Sequence, residues 1–145
     1  MAMKIINTQD WTIDQIAPYG RDLTAAMRRL CEKYPDDLTV EILMSGIMSG
    51  KNQLWLIFDE NEAFKAFVTT EIYTAEATGK KRLHLCDLGG EGGVYLADLV
   101  TELEKFALSQ GITEIQAMGR IGWQKQLAKH GFQPMVFRYR KELTQ

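Results

Sequence analysis

An α+β fold in a single domain covering residues 1–145 is what this sequence predicts, from three observations. Residues 54–88 hold three successive β-rich stretches separated only by polar turns, so their strands should run antiparallel. Apolar residues at three- and four-residue steps precede and follow that block, the spacing of helices that bury one stripe. A glycine-rich run, Asp87-Leu88-Gly89-Gly90-Glu91-Gly92-Gly93, joins the last of these strands to the next helix. The resulting order is β-α-α-β-β-β-α-β-α-β, a mixed and mainly antiparallel sheet flanked by helices.

Residues 3–7 form the first apolar strand. Thr12-Ile13-Asp14-Gln15 has the form of a capping box, with Thr12 as the cap of a helix carrying Ile16, Tyr19, Leu23, Met27, Leu30 and Tyr34 on its inward stripe. Pro18 and Gly20 kink or divide its first turns, and Pro35 ends it. Thr39 caps a second helix with Glu41 in its first turn and Val40, Leu43, Met44 and Ile47 on its stripe, closed by Gly50.

Leu54-Trp55-Leu56-Ile57-Phe58 is a continuous apolar run of good strand formers. The polar turn 59–62 makes a hairpin with a long strand over 63–73, and residues 75–81 turn into the strand 82–88. Beyond the glycines a helix begins near Val94. Its stripe is Leu96, Leu99, Val100, Leu103, Phe106 and Ala107, and it stops at Gly111. A short strand over 112–118, a helix over 123–130 closed by Gly131, and a last strand over 135–141 beginning after Pro134 complete the order.

The chain of 145 residues is 46% hydrophobic and 25% charged, enough for one sizeable core. A formal net charge of -2 gives no general electrostatic attraction to nucleic acid or to an anionic membrane, so neither is expected as a partner. No apolar run approaches a bilayer span and no secretory apolar segment follows Lys4, so a soluble cytoplasmic protein is expected. Cys31 and Cys86 are too few and too far apart for a disulfide framework, and both are expected in the core. Two histidines and two cysteines without ligand spacing predict no metal site, and no Walker-type lysine follows the glycines.

The glycine run is the main candidate for chemistry. Glycines let the backbone approach a ligand, and the amides and dipole at a helix start favour an anion such as a phosphate. An ordinary glycine-rich turn explains the same residues without a ligand. His84 and Cys86 alternate onto one face of their strand with no evident third group, which suits packing better than nucleophilic catalysis. Trp11, Trp55 and Trp123 are expected to fill core. Arg138, Arg140 and Lys141, alternating with Tyr139, read as a solvated terminal edge strand through which two copies could pair as a homodimer.

In element order, and in residues 85–132, the chain resembles the GNAT superfamily of N-acetyltransferases. Gly90 and Gly92 stand at the glycines of that family's Gln/Arg-x-x-Gly-x-Gly/Ala pyrophosphate loop. Residues 111–117 and Gln126-Leu127-Ala128-Lys129-His130-Gly131-Phe132 are similar to its next strand and its helix ending in Gly-Phe. The resemblance implies an acetyl-CoA-dependent N-acetyltransferase acting on a small-molecule or protein amine. Leu85, Cys86 and Leu88 would pair with the pantetheine arm where their strand splays from its neighbour, and Gly89, Gly90, Gly92, Gly93 and Val94 would hold the pyrophosphate. Glu71 would be the general base, acting through water.

The chain departs from the pattern at three residues. Asp87 replaces the family's Gln or Arg, Glu91 adds a carboxylate inside the loop, and Leu127 stands where many relatives place a tyrosine acid. Arg120, Lys125 and Lys129 could offset the acids, and Tyr73, Tyr95 or Tyr139 could replace the missing hydroxyl, although solvation and packing explain all six more simply. The alternative reading is a catalytically silent binding or structural module with the same fold.

Overall fold

The structure is a computed structural model that describes residues 3–91, 99–119 and 121–144. Five strands form one sheet in the order β1-β2-β3-β4-β5: β1 (Lys4–Asn7), β2 (Gln53–Phe58), β3 (Phe64–Thr74), β4 (Lys81–Gly90) and β5 (Ile115–Ala117). The first four pair antiparallel, and β5 joins β4 in parallel. The described helices are α1 (Ile13–Ile16), α2 (Gly20–Lys33), α3 (Val40–Met48), α4 (Val100–Ser109) and α5 (Gln124–Ala128). None is long and apolar enough to cross a membrane.

The capping box forms as its residues dictate: the Gln15 amide donates to Thr12 Oγ1 at 3.3 Å and the Thr12 amide donates to Gln15 Oε1 at 2.7 Å. Pro18 sits in a 3-10 turn, Ala17–Tyr19, that divides α1 from α2. Thr39 Oγ1 accepts from the Ile42 amide and caps α3.

The unbroken apolar run of β2 is explained by burial on both faces. Leu54, Leu56 and Phe58 pack with Leu23, Ala26, Met27 and Leu30 of α2 and Leu43 of α3. Trp55 and Ile57 point the other way, to Val100, Leu103 and Ala107 of α4 and to Ile112. The Trp55 ring meets Phe106 edge-on at 5.3 Å, and its Nε1 donates to Thr70 Oγ1 at 2.9 Å, so its one polar atom is satisfied inside the core. Thr70 in turn donates to Gln53 Oε1 at 2.9 Å.

Three boundaries differ from expectation. β4 runs on to Gly90, so Gly89 and Gly90 are strand residues paired with Phe67 and Ala66 rather than parts of a turn. β5 is shortened to three residues because Ile112 serves the helix end instead, its side chain buried and its amide donating to Ala107 O at 2.8 Å. The last strand expected over 135–141 does not form: these residues lie outside the sheet, with Met135, Val136, Phe137 and Tyr139 all exposed. The described part of the helix expected from Val94 is α4, and residues 92–98 lie outside the described residues.

Candidate functional site

The site expected from the sequence centres on β4, where two local features set the geometry. The first is a β-bulge. Thr69 pairs with Asp87 and Thr70 with Leu85, so Cys86 is an extra residue on β4. The bulge shifts the alternation: Leu83, Leu85 and Leu88 all contribute to the core on the α4 side, which a regular strand would not allow.

The second feature is the parting of β4 from β5. Their ladder covers Leu83↔Ile115, His84↔Gln116 and Leu85↔Ala117, and β4 then continues for five residues beyond it. Among the described residues, no strand pairs with that outer edge from Cys86 to Gly90. The Glu91 amide donates inward to Lys65 O at 2.9 Å. Alternation along the strand therefore directs the Gly90 and Leu88 amides outward, to the open edge. An edge of this kind offers backbone hydrogen bonds to an extended ligand.

Gly89 and Gly90 have packing reasons of their own. A Cβ at Gly89 would stand 2.6 Å from the Phe67 ring and 3.4 Å from the Ala26 carbonyl, so the glycine lets α2 settle against the sheet. Gly90 has φ 128, and a Cβ there would overlap Lys65 O and Ala66. Gly92, Gly93 and Val94 lie outside the described residues.

Both acids near the glycines have partners. Asp87 Oδ2 accepts from the buried Thr69 hydroxyl at 2.7 Å. Glu91 Oε2 lies 3.4 Å from Lys65 Nζ, which also stands 3.8 Å from Asp59. Lys65 owes this position to a second bulge, where Ile57 pairs with Ala66 and Phe58 with Phe64. Two backbone amides, those of Ala63 and Asn61, hold the Asp59 carboxyl below the usual range, with the amide of Ala63 the larger cause.

Glu71 is half-buried on β3, in register with His84. By alternation it shares with Phe67 and Thr69 the face covered by α2 and α3. Among the described residues, no hydrogen bond or ion pair engages its carboxylate, which leaves it available to water. Burial, then the carboxylates of Asp87 and Glu71, push the nearby Cys86 thiol up to about 12. Its Sγ donates to His84 O at 3.5 Å and lies 3.9 Å from Asn52 Nδ2, and no triad forms. Burial, with Asp87 and Glu41 adding to it, also raises Cys31. Both thiols are therefore poor nucleophiles at neutral pH.

Sequence reasoning missed Asn52, Thr69 and Lys65. Asn52 donates to Thr70 O at 3.4 Å and packs where a side chain on Gly46 would otherwise stand. Nothing periodic marks such a residue, since it lies in the short turn between α3 and β2. Lys65 was accessible in principle, because antiparallel pairing places the start of β3 beside the end of β4.

Tyr73 is exposed near the far end of β3, Tyr139 is exposed outside the sheet, and Tyr95 and Arg120 lie outside the described residues. Leu127 is half-buried in α5, and both Lys125 and Lys129 are exposed. The Leu127 carbonyl accepts from the His130 and Phe132 amides, and Gly131 (φ 85) supplies the left-handed turn that ends the helix.

Neither a family model nor a curated protein sequence matches the chain. Solved structures do. Glucosamine-6-phosphate N-acetyltransferase from Arabidopsis thaliana superposes with a TM-score of 0.68 at 14% identity, covering 99% of this chain and 100% of that one. Two aminoglycoside acetyltransferases from uncultured soil metagenomic samples are also similar. One has a TM-score of 0.62 at 14% identity, covering 98% of this chain and 97% of its own. The other has a TM-score of 0.66 at 8% identity, covering 99% and 100%. The chain has the fold of the GNAT acetyltransferases, at 8–14% identity to these structures.

Proposed function

We propose that the chain is an acyl-CoA-dependent N-acetyltransferase, moving an acetyl group from acetyl-CoA to a small-molecule or protein amine. The observation that carries this reading is the open edge of β4 from Cys86 to Gly90, beside a bulge, in a fold whose named neighbours are acetyltransferases. Acetyl-CoA supplies an activated thioester. The outward amides of Leu88 and Gly90 suit the amide-bearing pantetheine arm, with Leu85 and Cys86 at the point where the strands part. Gly89 supports this edge through packing, and Gly92, Gly93 and Val94, which follow it in sequence, are the proposed diphosphate-binding residues.

The electrostatic objection to an anionic ligand is reduced at Glu91, whose charge Lys65 offsets, while Asp87 keeps its charge and engages the neutral Thr69 hydroxyl. Glu71 takes the proton of the attacking amine through water. The amine nitrogen bonds to the acyl carbon as the carbon–sulfur bond breaks. With Leu127 in place of a hydroxyl, water protonates the leaving thiolate.

The test is calorimetric titration with acetyl-CoA, followed by a thiol-release assay over a panel of primary amines. Binding with turnover supports the transferase. Binding without turnover on any amine favours the silent module, a reading that Leu127 supports. Absence of binding at millimolar acetyl-CoA overturns both uses of the β4 edge.

A further inference from the structure

We infer that Asn52 is a positioning residue for the open edge of β4, holding the extra residue of that strand at Cys86. A bulge leaves one residue without a cross-strand partner, so ladder pairing alone does not fix which residue it is. Cys86 is that residue here, and it is also the first on β4 beyond the ladder with β5. Its position therefore sets where the edge begins.

Two side-chain contacts exclude the two neighbouring positions. A bulge moved one place toward Gly90 would pair Thr69 with Cys86 and take Asp87 from the Thr69 hydroxyl, its partner at 2.7 Å. A bulge moved one place the other way would pair Cys86 with Thr70. Thr70 turns its hydroxyl to Trp55 on the α4 side, so Cys86 would then take the core place of Leu85. Asn52 opposes that second move. Its Nδ2 lies 3.9 Å from Cys86 Sγ and donates to Thr70 O at 3.4 Å, both from the α3 side, and Cys86 Sγ donates to His84 O at 3.5 Å. A carboxamide has two N–H groups, enough for both contacts.

Asn52 is itself held by α3. Its backbone amide donates to Gly46 O at 2.9 Å, and its Oδ1 fills the space that a side chain on Gly46 would take. Ser49 Oγ donates to the same carbonyl at 3.1 Å and accepts from the Lys51 amide at 3.3 Å, which fastens the turn that presents Asn52. Contact thus runs from Gly46 through Asn52 to the bulge. The consequence for acetyl-CoA rests on the transferase site proposed above, whereas the place of the bulge is a property of the unliganded chain.

Hydrogen exchange of single amides, followed by acetyl-CoA calorimetry, tests this on the native full chain, Asn52→Ala and Gly46→Ala. The first variant removes the donor, and the second keeps it but displaces it with a methyl group. The Leu83 amide donates to Glu114 O, and alternation directs the Leu85 amide to β5 as well. Both variants should speed exchange at Leu85 about fivefold, the worth of one hydrogen bond, and leave Leu83 at its native rate. Acetyl-CoA affinity should fall about fivefold in both. Alanine favours a helix over glycine, so the melting temperature of Gly46→Ala should not fall while its edge loosens. Native exchange at Leu85 in both variants overturns the inference, as does exchange that quickens equally at Leu83 and Leu85, the mark of general destabilisation. Native acetyl-CoA affinity in both variants overturns the positioning role. The exchange arm needs no ligand: a native chain that fails to bind acetyl-CoA refutes the transferase site, while a change confined to Leu85 upholds the hold of Asn52 on the bulge.

Discussion

Cys86 shows how much one extra residue changes in β4. Inserted as a bulge, it re-aims every side chain after it, so that Leu88 reaches the α4 core while Asp87 and Gly89 turn to the α2 side. Its own thiol is half-buried near Asp87 and Glu71, which opposes ionisation. Iodoacetamide at pH 8.5 should therefore modify Cys86 in the native protein far more slowly than a free thiol, measured by peptide mass; modification at the free-thiol rate would contradict the assigned burial. A side chain at Gly89 meets the Phe67 ring, so Gly89→Val should destabilise by about 1–3 kcal/mol in denaturant titration, the usual cost of overpacking. Glu71→Gln should lower kcat while leaving acetyl-CoA affinity unchanged, if the carboxylate relays a proton. A variant with native turnover would remove Glu71 from the site.

At the scale of elements, the junction of β4 and β5 is fastened by charge at one end and released at the other. Glu114 accepts from Lys80 Nζ at 2.9 Å and from Gln116 Nε2 at 2.7 Å, and it stands 2.8 Å from Arg82 Nε. Lys80 is the largest cause, followed by Gln116, of a carboxyl held below its usual value. A lowered folded pKa means stability that is complete above the ordinary glutamate range and lost as pH falls through the folded value. Glu114→Gln should therefore flatten the acid limb of thermal melting between pH 5 and 3 and leave a smaller slope than the native chain. An identical acid limb in the two proteins would refute the linkage. Thr12→Ala, which removes the hydroxyl that accepts from the Gln15 amide and leaves the backbone half of the capping box in place, should cost about 1 kcal/mol.

Elements with local causes were legible in the sequence. The Thr12 and Thr39 caps, the break at Pro18, the strand over residues 54–58 and the stripe of Leu103 and Ala107 all follow from spacing, composition and capping chemistry. What depends on tertiary register was not legible. Periodicity does not mark the Cys86 bulge, because an inserted residue keeps the same apolar composition. Gly89 and Gly90 looked like a turn, yet the close approach of Phe67 and Ala66 places them in the strand. The alternating pattern of residues 135–141 signalled a strand, but a pattern specifies only what a segment can pair with and not whether a strand edge meets it.

Across the whole molecule, the two faces of the sheet do different work. The α4 face holds a continuous apolar core built on Trp55, Leu83, Val100 and Leu103. The α2 and α3 face is apolar near β2 but grows polar toward the bulge, where Thr69, Asp87, Glu71 and Asn52 gather. That gradient converges on the point where β4 loses its outer neighbour among the described residues, the position of the proposed site. Binding of acetyl-CoA at this edge, as proposed, is tested most directly by a melting curve read against cofactor concentration. Saturation at a hundredfold excess over the dissociation constant should add about 2.7 kcal/mol of stability, with Gly92→Val abolishing the shift while the unliganded melt stays native. A melting temperature unmoved by millimolar acetyl-CoA would contradict the account.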